Sequence, residues 1–410
     1  MKGLPDAVLA LCASIKRAGG EAWLVGGCVR DDLLGLPAKD LDFEVHQLPA
    51  KQLEAVLRRA GRVKAVGRSF GVFKLRLGKL ELDVGLPQTA AAHTTASGAV
   101  QVQGDPWISL PQSARRRDLT INAIAYDPLT ATYVDPYDGR ADLAARRLRM
   151  VDVETFVEDP LRVLRVMQFA ARFDFTVDPA LAALCRRTDI AGLPAERMWI
   201  ELEKLLLRPT RPSIGLAVAR QLDIFSRLMP GLAAVNDDDL GTALDRAAAL
   251  RGDAASPVAL MLSVLLHRCP AAAESILDTL KVFTLDGYPV RARVLHAVQH
   301  WSALHAPISD AALRWLAEDG EVALIAQVAL ASGGGEVSQK ALDRARFIGI
   351  HRRPIPALLK GRDLKSLGIP PGPHMGTILH NVRVAQLNGD IHDRTGGLAL
   401  VQRLWSSQTS

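Results

Sequence analysis

The apolar periodicity of the chain changes character near residue 140, and this limits the available folds more than any other feature. Before that point, strand and helix patterns are mixed. The strand candidates are "AWLVGG", "LDFEV", "GVFKLRL", "KLELDVGL" and the pair "AIAYDP" and "ATYVDPY", while "KQLEAVLRRAG" has helical spacing and a glycine stop. From "RADLAARRLRMV" onward the segments read as helices in series, "EDPLRVLRVMQFAARF" and "PAERMWIELEKLLLRP" most clearly. Any sheet must therefore be assembled within the first third of the chain. The expected fold is α+β: an N-terminal head with a mixed sheet and flanking helices, followed by an all-α remainder. A length of 410 residues exceeds one ordinary core. With proline and glycine clusters as punctuation, the expected divisions are a head at 1–140, a helical neck at 141–208, a body at 209–330 and a tail at 331–410.

Composition narrows the classes further. Aromatic residues make up only 5% of the chain, which suits Ala/Leu-rich helical packing better than an all-β architecture. A net charge of +6 and a pI near 9.2 favour a polyanionic partner. Cys12, Cys28, Cys185 and Cys269 lie far apart, with no C-x-x-C spacing and no secretory leader, so a reduced, cytoplasmic chain without disulfides or zinc is expected. No apolar run reaches the roughly 18 residues of a membrane span, so no membrane partner is expected, and no obligate protein partner is evident.

Chemistry concentrates in "GGCVRDDLLGLPAKDLDFEVH". Strand "AWLV" runs into Gly26 and Gly27 and then a helix near Cys28, a turn whose N–H groups can approach phosphate oxygens, with Arg30 a charged donor beside them. Asp40 and Asp42, preceded by Lys39, fall two apart on a strand and so on one face, where like charges destabilise unless a cation lies between them. Mg²⁺ is the natural candidate, being held by one or two carboxylates together with substrate phosphates. Asp83 in "LELDVG" lies on another strand of the same expected sheet. Such carboxylates beside a phosphate-binding turn are what metal-dependent nucleotidyl transfer requires.

These residues resemble a known family. "LVGGCVRDDLLG...KDLDFEV", followed in order by "RRRDLTINAIAYDP", "DPYDGRADLAARRLR", "EDPLRVLRVMQFAARF" and "PAERMWIELEKLL", is similar to the five motifs of class II tRNA nucleotidyltransferases, the CCA-adding enzymes and bacterial poly(A) polymerases of the polymerase beta superfamily. The resemblance covers roughly the first half of the chain. It implies that Asp40 and Asp42 hold Mg²⁺, with Asp83 completing the catalytic carboxylates, and that Gly27 and Arg30 meet the nucleotide's phosphates. Arg117 and Asp118 would contact its triphosphate and ribose. Glu158, Asp159 and Arg162 would stand in for a template: aspartate only accepts and arginine only donates, so together they can address the mixed edge of cytosine or adenine. Helical spacing places Asp159 and Arg162 on one face, and Arg165 extends it toward the phosphates. The "PAERMWIELEKLL" segment would brace that helix.

The implied activity is addition of C, C and A to the tRNA 3′ end from CTP and ATP, without a template and with release of pyrophosphate. An A-adding enzyme, a CC-adding enzyme, a poly(A) polymerase and a catalytically silent RNA-binding protein remain alternatives. Clustered carboxylates speak against the last, since backbone binding gains nothing from them. Gln168 stands where the family often has a third arginine, and Gln88 where a basic residue often follows the strand. Residues 87–114 lack either period and correspond to the family's mobile loop, associated with the change from CTP to ATP. His267 is followed by Arg268 instead of the aspartate of a His-Asp phosphohydrolase, so no second hydrolase site is expected. The segment "GRDLKSLGIPPGPHMGTILHNVRVAQLNGDI" resembles the family's C-terminal region, and the amides of its glycine- and proline-rich turn could touch an RNA backbone.

Overall fold

The computed structural model describes residues 1, 3–37, 40–67, 71–89, 103–235 and 238–409. Contacts divide the chain into two compact units, Met1–Leu193 and Pro194–Ser410.

The first unit is built on a mixed sheet. In chain order its strands are β1 (Glu21–Val25), β2 (Leu41–His46), β3 (Arg62–Gly67), β4 (Val72–Leu77) and β5 (Leu80–Gly85), then a separate pair β6 (Gln88–Thr89) and β7 (Gln103–Gly104), then β8 (Ala125–Asp127) and β9 (Thr132–Val134). The seven-stranded sheet runs β3-β4-β5-β2-β1-β8-β9. Only β2 and β5 pair in parallel there. Alternation gives the sheet one apolar face, with Phe43, Val45, Phe73, Leu75, Leu82 and Val84 buried. Helices α1 (Asp6–Arg17) and α3 (Ala50–Ala60) pack on the sheet. They bury Val8, Leu11, Cys12 and Ile15, and Leu53 and Leu57, respectively, at helical spacing. Between them, α2 (Gly27–Leu33) leaves the Gly26 turn. Four further helices matter to the site: α4 (Leu110–Ala114), α5 (Gly139–Ala144), α6 (Val153–Val157) and α7 (Leu161–Phe173).

Two features differ from expectation. The edge strand β3 was not anticipated, its apolar residues alternating with Arg62 and Lys64 over too short a run to stand out. The aperiodic stretch 87–114 is ordered at both ends: β6 pairs with β7, and α4 starts at a capping box in which the Gln112 side chain accepts from the Ser109 N–H. Two-residue strands and a five-residue helix are too short to show a period, although Ser109-x-x-Gln112 is a helix-start signal. Residues 90–102, like Lys39, lie outside the described residues.

The second unit is helical. Pro257–Leu266 and Val322–Ala331 are apolar almost all round and form its centre, packed with Asp238–Leu250 and Val290–His300. His267 is a core residue, its Nδ1 2.6 Å from the Val264 carbonyl oxygen and its ring edge-on to Trp301. A separate cluster of Leu359, Leu364, Ile369, Met375, Ile378, Val382 and Val401 organises the C-terminal helices. All four cysteines are buried thiols with no disulfide between them. No helix among the described residues is long and apolar enough to cross a membrane. The finer division into neck, body and tail remains a proposal.

Candidate active site

Asp42 and Asp83 are register partners on the parallel pair β2/β5, so both project from the face opposite the apolar one. Asp40 lies exposed just before β2. Burial raises the Asp42 carboxyl above its ordinary value, Arg117 pulls it back, and Asp83 and Asp40 raise it again. Lys74, opposite Asp83 on β4, forms an ion pair with it at 3.2 Å. Crowded carboxylate oxygens suit a hard divalent cation. Among the described residues no three metal-binding side chains converge closely enough to hold one unaided. Asp40 and Asp42 would supply two ligands, leaving the rest to phosphate and water.

The next residue on this face, Glu44, was missed in the sequence, although it shares the parity of Asp42. It is tied by Ser113, whose Oγ donates at 2.5 Å, by His46, whose Nε2 lies at 3.0 Å, and by Arg117 at 3.4 Å. Burial alone would raise the Glu44 carboxyl, but His46, Arg117 and Ser113 outweigh it and hold it below its ordinary value. Glu44 therefore fastens α4 and Arg117 to the strand that bears Asp42.

Each of three successive arginines meets a different acid: Arg115 meets Asp152 and Glu154, Arg116 meets Glu158 at 2.8 Å, and Arg117 meets Glu44. Only Arg117 reaches the sheet. It sits against the glycine turn: Gly26 has φ +73°, and a Cβ there would come within 3.3 Å of Arg117 Nη1. Gly27 similarly faces Arg30, whose Nη2 would lie 3.4 Å from an added Cβ.

Arg30 does not stand open toward a ligand. It is 3% exposed, its guanidinium over the stacked rings of both Phe169 and Phe173, with centroids at 5.1 and 4.7 Å. It donates to Asp31 and to Asn122 Oδ1. Asp118 is likewise turned inward, 6% exposed, accepting from the Leu119 N–H, from Asn122 Nδ2 and from Arg165 Nε at 2.7 Å. Burial would raise its pKa, but Arg165, Asn122 and the Leu119 amide together hold it below the ordinary range. Arg172 closes the ring by donating to Asp31 at 2.9 Å. Arg165 and Arg172 thus bind one end each of a buried relay through Asp118, Asn122, Arg30 and Asp31. The resemblance placed Arg30 and Asp118 at the nucleotide; here Asn122, 92 residues away, with Phe169 and Phe173 encloses Arg30, and Arg165, 47 residues away, meets Asp118. Gln168, between those arginines on α7, is buried, and its Nε2 has no hydrogen-bond partner among the described residues.

Asp159 and Arg162 share a turn, not a helix face. Asp159 precedes α7 and its carboxylate accepts the Leu161 N–H at 3.2 Å. Pro160 intervenes and starts the helix after it. The Arg162 fork is aimed by two backbone carbonyls, Thr155 at 2.5 Å and Arg116 at 2.7 Å. Burial lowers its pKa from the ordinary value. Arg116 and its ion pair with Glu158 therefore connect the arginine run to the turn that carries Asp159 and Arg162.

A carboxylate-bearing mixed sheet beside a glycine turn, with an arginine run and a helix carrying further polar groups, defines a nucleotidyltransferase head. In agreement, residues 22–149 match the "Poly A polymerase head domain" and 174–235 the "Probable RNA and SrmB- binding site of polymerase A". A multifunctional CCA protein of Cupriavidus pinatubonensis is 40% identical over 227 residues, 52% of this chain and 51% of that protein. A CCA-adding enzyme of Bordetella pertussis is 38% identical over 258 residues, 62% and 66% of the two chains. The chain belongs to the class II tRNA nucleotidyltransferase family, that of the CCA-adding enzymes and poly(A) polymerases. Membership implies a divalent metal at the head. The aligned part spans about half the length of most of the curated relatives it matches. The Bacillus stearothermophilus CCA-adding enzyme in complex with CTP has the same fold, with TM-score 0.76 and 21% identity over all of both chains. The Thermotoga maritima CCA-adding enzyme complexed with tRNA gives TM-score 0.67 and 20% identity, over 99% of this chain and 97% of that one.

Proposed function

We propose that this chain adds C, C and A to the 3′ end of tRNA from CTP and ATP, without a nucleic-acid template, using Mg²⁺ at Asp40 and Asp42. The observation that carries this reading is the register pairing of Asp42 with Asp83, with Asp40 close before them in the chain and Arg117 the cation that most favours the charged form of Asp42. When bound there, the metal would lower the pKa of the RNA 3′-hydroxyl and neutralise charge on the triphosphate. Arg117 meets the phosphates, its direction set by Glu44 and the space kept by Gly26. Asp159 and Arg162 read the base, Asp159 accepting from an exocyclic amine and Arg162 donating to ring acceptors. Glu158 acts through Arg116, and Arg165 and Asp118 hold α7 in place. Arg30 and Gly27 support the same turn from beneath. The names of relatives, which mention CCA addition and complexes with CTP, ATP and tRNA, fit this reading. A cytoplasmic setting suits four buried thiols.

The test is to incubate the full chain with tRNAs ending before the first C, after C and after CC, supplying CTP and ATP separately, and to size the products. Two C additions with CTP and one A after CC are expected. Addition of A alone, of C alone or of a long A tract would replace this reading with the A-adding, CC-adding or poly(A) alternative. No product, despite tRNA binding, would leave a silent RNA-binding protein.

A further inference from the structure

We propose that the corner where α3 turns into β3 is a second phosphate-binding site on the head, taking the backbone of the RNA substrate while the 3′ end lies at Asp42. This rests on RNA being the substrate. The corner forms an open recess of about 560 Å³ lined by Arg58, Arg59, Arg62 and Arg76 with only Ala60, Gly61 and Gly78 between them. Arg58 is held by Glu54 at 2.6 Å. Arg59, Arg62 and Arg76 have no ion-pair partner among the described residues.

The register makes this charge hard to explain as ordinary surface. Arg62 lies directly opposite Arg76, and Lys64 directly opposite Lys74. Like charges in directly opposed positions destabilise a strand pair, and two such pairs follow one another on β3/β4. Edge-strand protection would account for basic residues on β3. It gives no reason for Lys74 and Arg76, which lie on the next strand in. Across the other edge of β4, Lys74 is paired with Asp83 at 3.2 Å, whereas Arg76 faces Glu81 in register without an ion pair to it among the described residues.

The two pairs also share a face with the catalytic carboxylates, because Lys64, Lys74, Asp83 and Asp42 are successive register partners across four strands. At ordinary strand spacing the basic pairs begin about 10 Å from Asp42, at Lys74, and extend to about 14 Å at Lys64. The lining includes no aromatic or amide side chain able to read a base. It is therefore suited to phosphates regardless of sequence, as a strand's backbone requires. Gly61 keeps the corner tight, since a Cβ there would fall 2.4 Å from the Arg76 carbonyl oxygen.

The experiment compares the full-length protein with the double variant Arg62→Gln/Arg76→Gln, using tRNA lacking its 3′ CCA. Binding is measured across a salt series, alongside the KM for CTP and the thermal midpoint. Two lost phosphate contacts should weaken tRNA binding roughly tenfold and flatten the salt slope by about 1 to 2, with the KM for CTP unchanged. The thermal midpoint should hold or rise, because one opposed pair is neutralised. Unchanged tRNA affinity and slope would overturn the site while leaving CCA addition standing. A raised KM for CTP with normal tRNA binding would also overturn it, making the recess a nucleotide site. A wild type that binds tRNA but extends none would overturn the proposed activity, and the variant's binding would still decide the site.

Discussion

Asp42 and Asp83 stand side by side across two parallel strands, where Asp83 works against the charge on Asp42 while Lys74 forms its ion pair with Asp83. Replacing Asp42→Asn should abolish nucleotide incorporation while leaving tRNA binding nearly intact, because it removes a metal ligand and no phosphate contact. Thermal stability should not fall, since a crowded charge is lost. Substantial residual incorporation would remove Asp42 from the metal site.

Gly26 is expected to be intolerant of even a methyl group. Its φ of +73° disfavours any side chain, and a Cβ would press on Arg117 Nη1, 3.3 Å away. Gly26→Ala should cost about 1 to 3 kcal/mol and raise the KM for CTP by displacing Arg117. Unfolding curves and initial-rate kinetics together check this; stability loss with an unchanged KM would separate Gly26 from nucleotide binding.

The Asp118–Arg165 pair carries a pH dependence of defined sign. Asp118 has a folded pKa below its ordinary 3.8, so its stabilisation is complete above about pH 4 and is lost as pH falls through the depressed value. Asp118→Asn should flatten that acid limb. Arg165→Ala, which strands the buried carboxylate, should cost roughly 3 kcal/mol near neutral pH. Denaturant titrations from pH 7 downward measure both.

Arg162 is held by two carbonyls at a geometry that only a planar fork satisfies. Arg162→Lys keeps the charge but should lose discrimination against UTP and GTP by about five- to hundred-fold, the worth of one hydrogen-bonding partner. Competition assays with the four nucleotides decide it, and unaltered rejection of UTP and GTP would exclude Arg162 as the base reader.

Thr89 and Gln103 are register partners on β6 and β7, so the chain between them can be replaced by a two-residue Asn-Gly turn without disturbing the flanks. The shortened protein should still add two C residues and fail at A. Completion of CCA would place the nucleotide switch elsewhere, and loss of both additions would make 90–102 necessary for folding.

The head was legible because period-two alternation puts Asp42 and Asp83 on the polar faces of their strands without any tertiary knowledge, whereas Asp40, expected on the same strand as Asp42, stands just before β2. What escaped reading depended on distance along the chain. Arg30 reads as a displayed cation until Phe169, Phe173 and Asn122 enclose it. Asp159 and Arg162 have helical spacing, yet Pro160 begins the helix between them. Glu44 shared the right parity and lay within "KDLDFEV", but its partners Ser113 and Arg117 come from far along the chain, and β6, β7 and α4 are too short to show a period.

The cage around Arg30 also constrains how the protein is made. A ribosome releases Arg30 well before Phe169, Phe173 and Arg172, and until they emerge its guanidinium lacks both rings and Asp31 lacks its second arginine. A nascent chain ending where the head-domain match ends, at Arg149, would carry every strand of the seven-stranded sheet but leave this charge uncovered. The head therefore matures only after α7 has been translated, and a fragment cut at that point should be captured by chaperones or proteases that the longer Met1–Leu193 unit escapes.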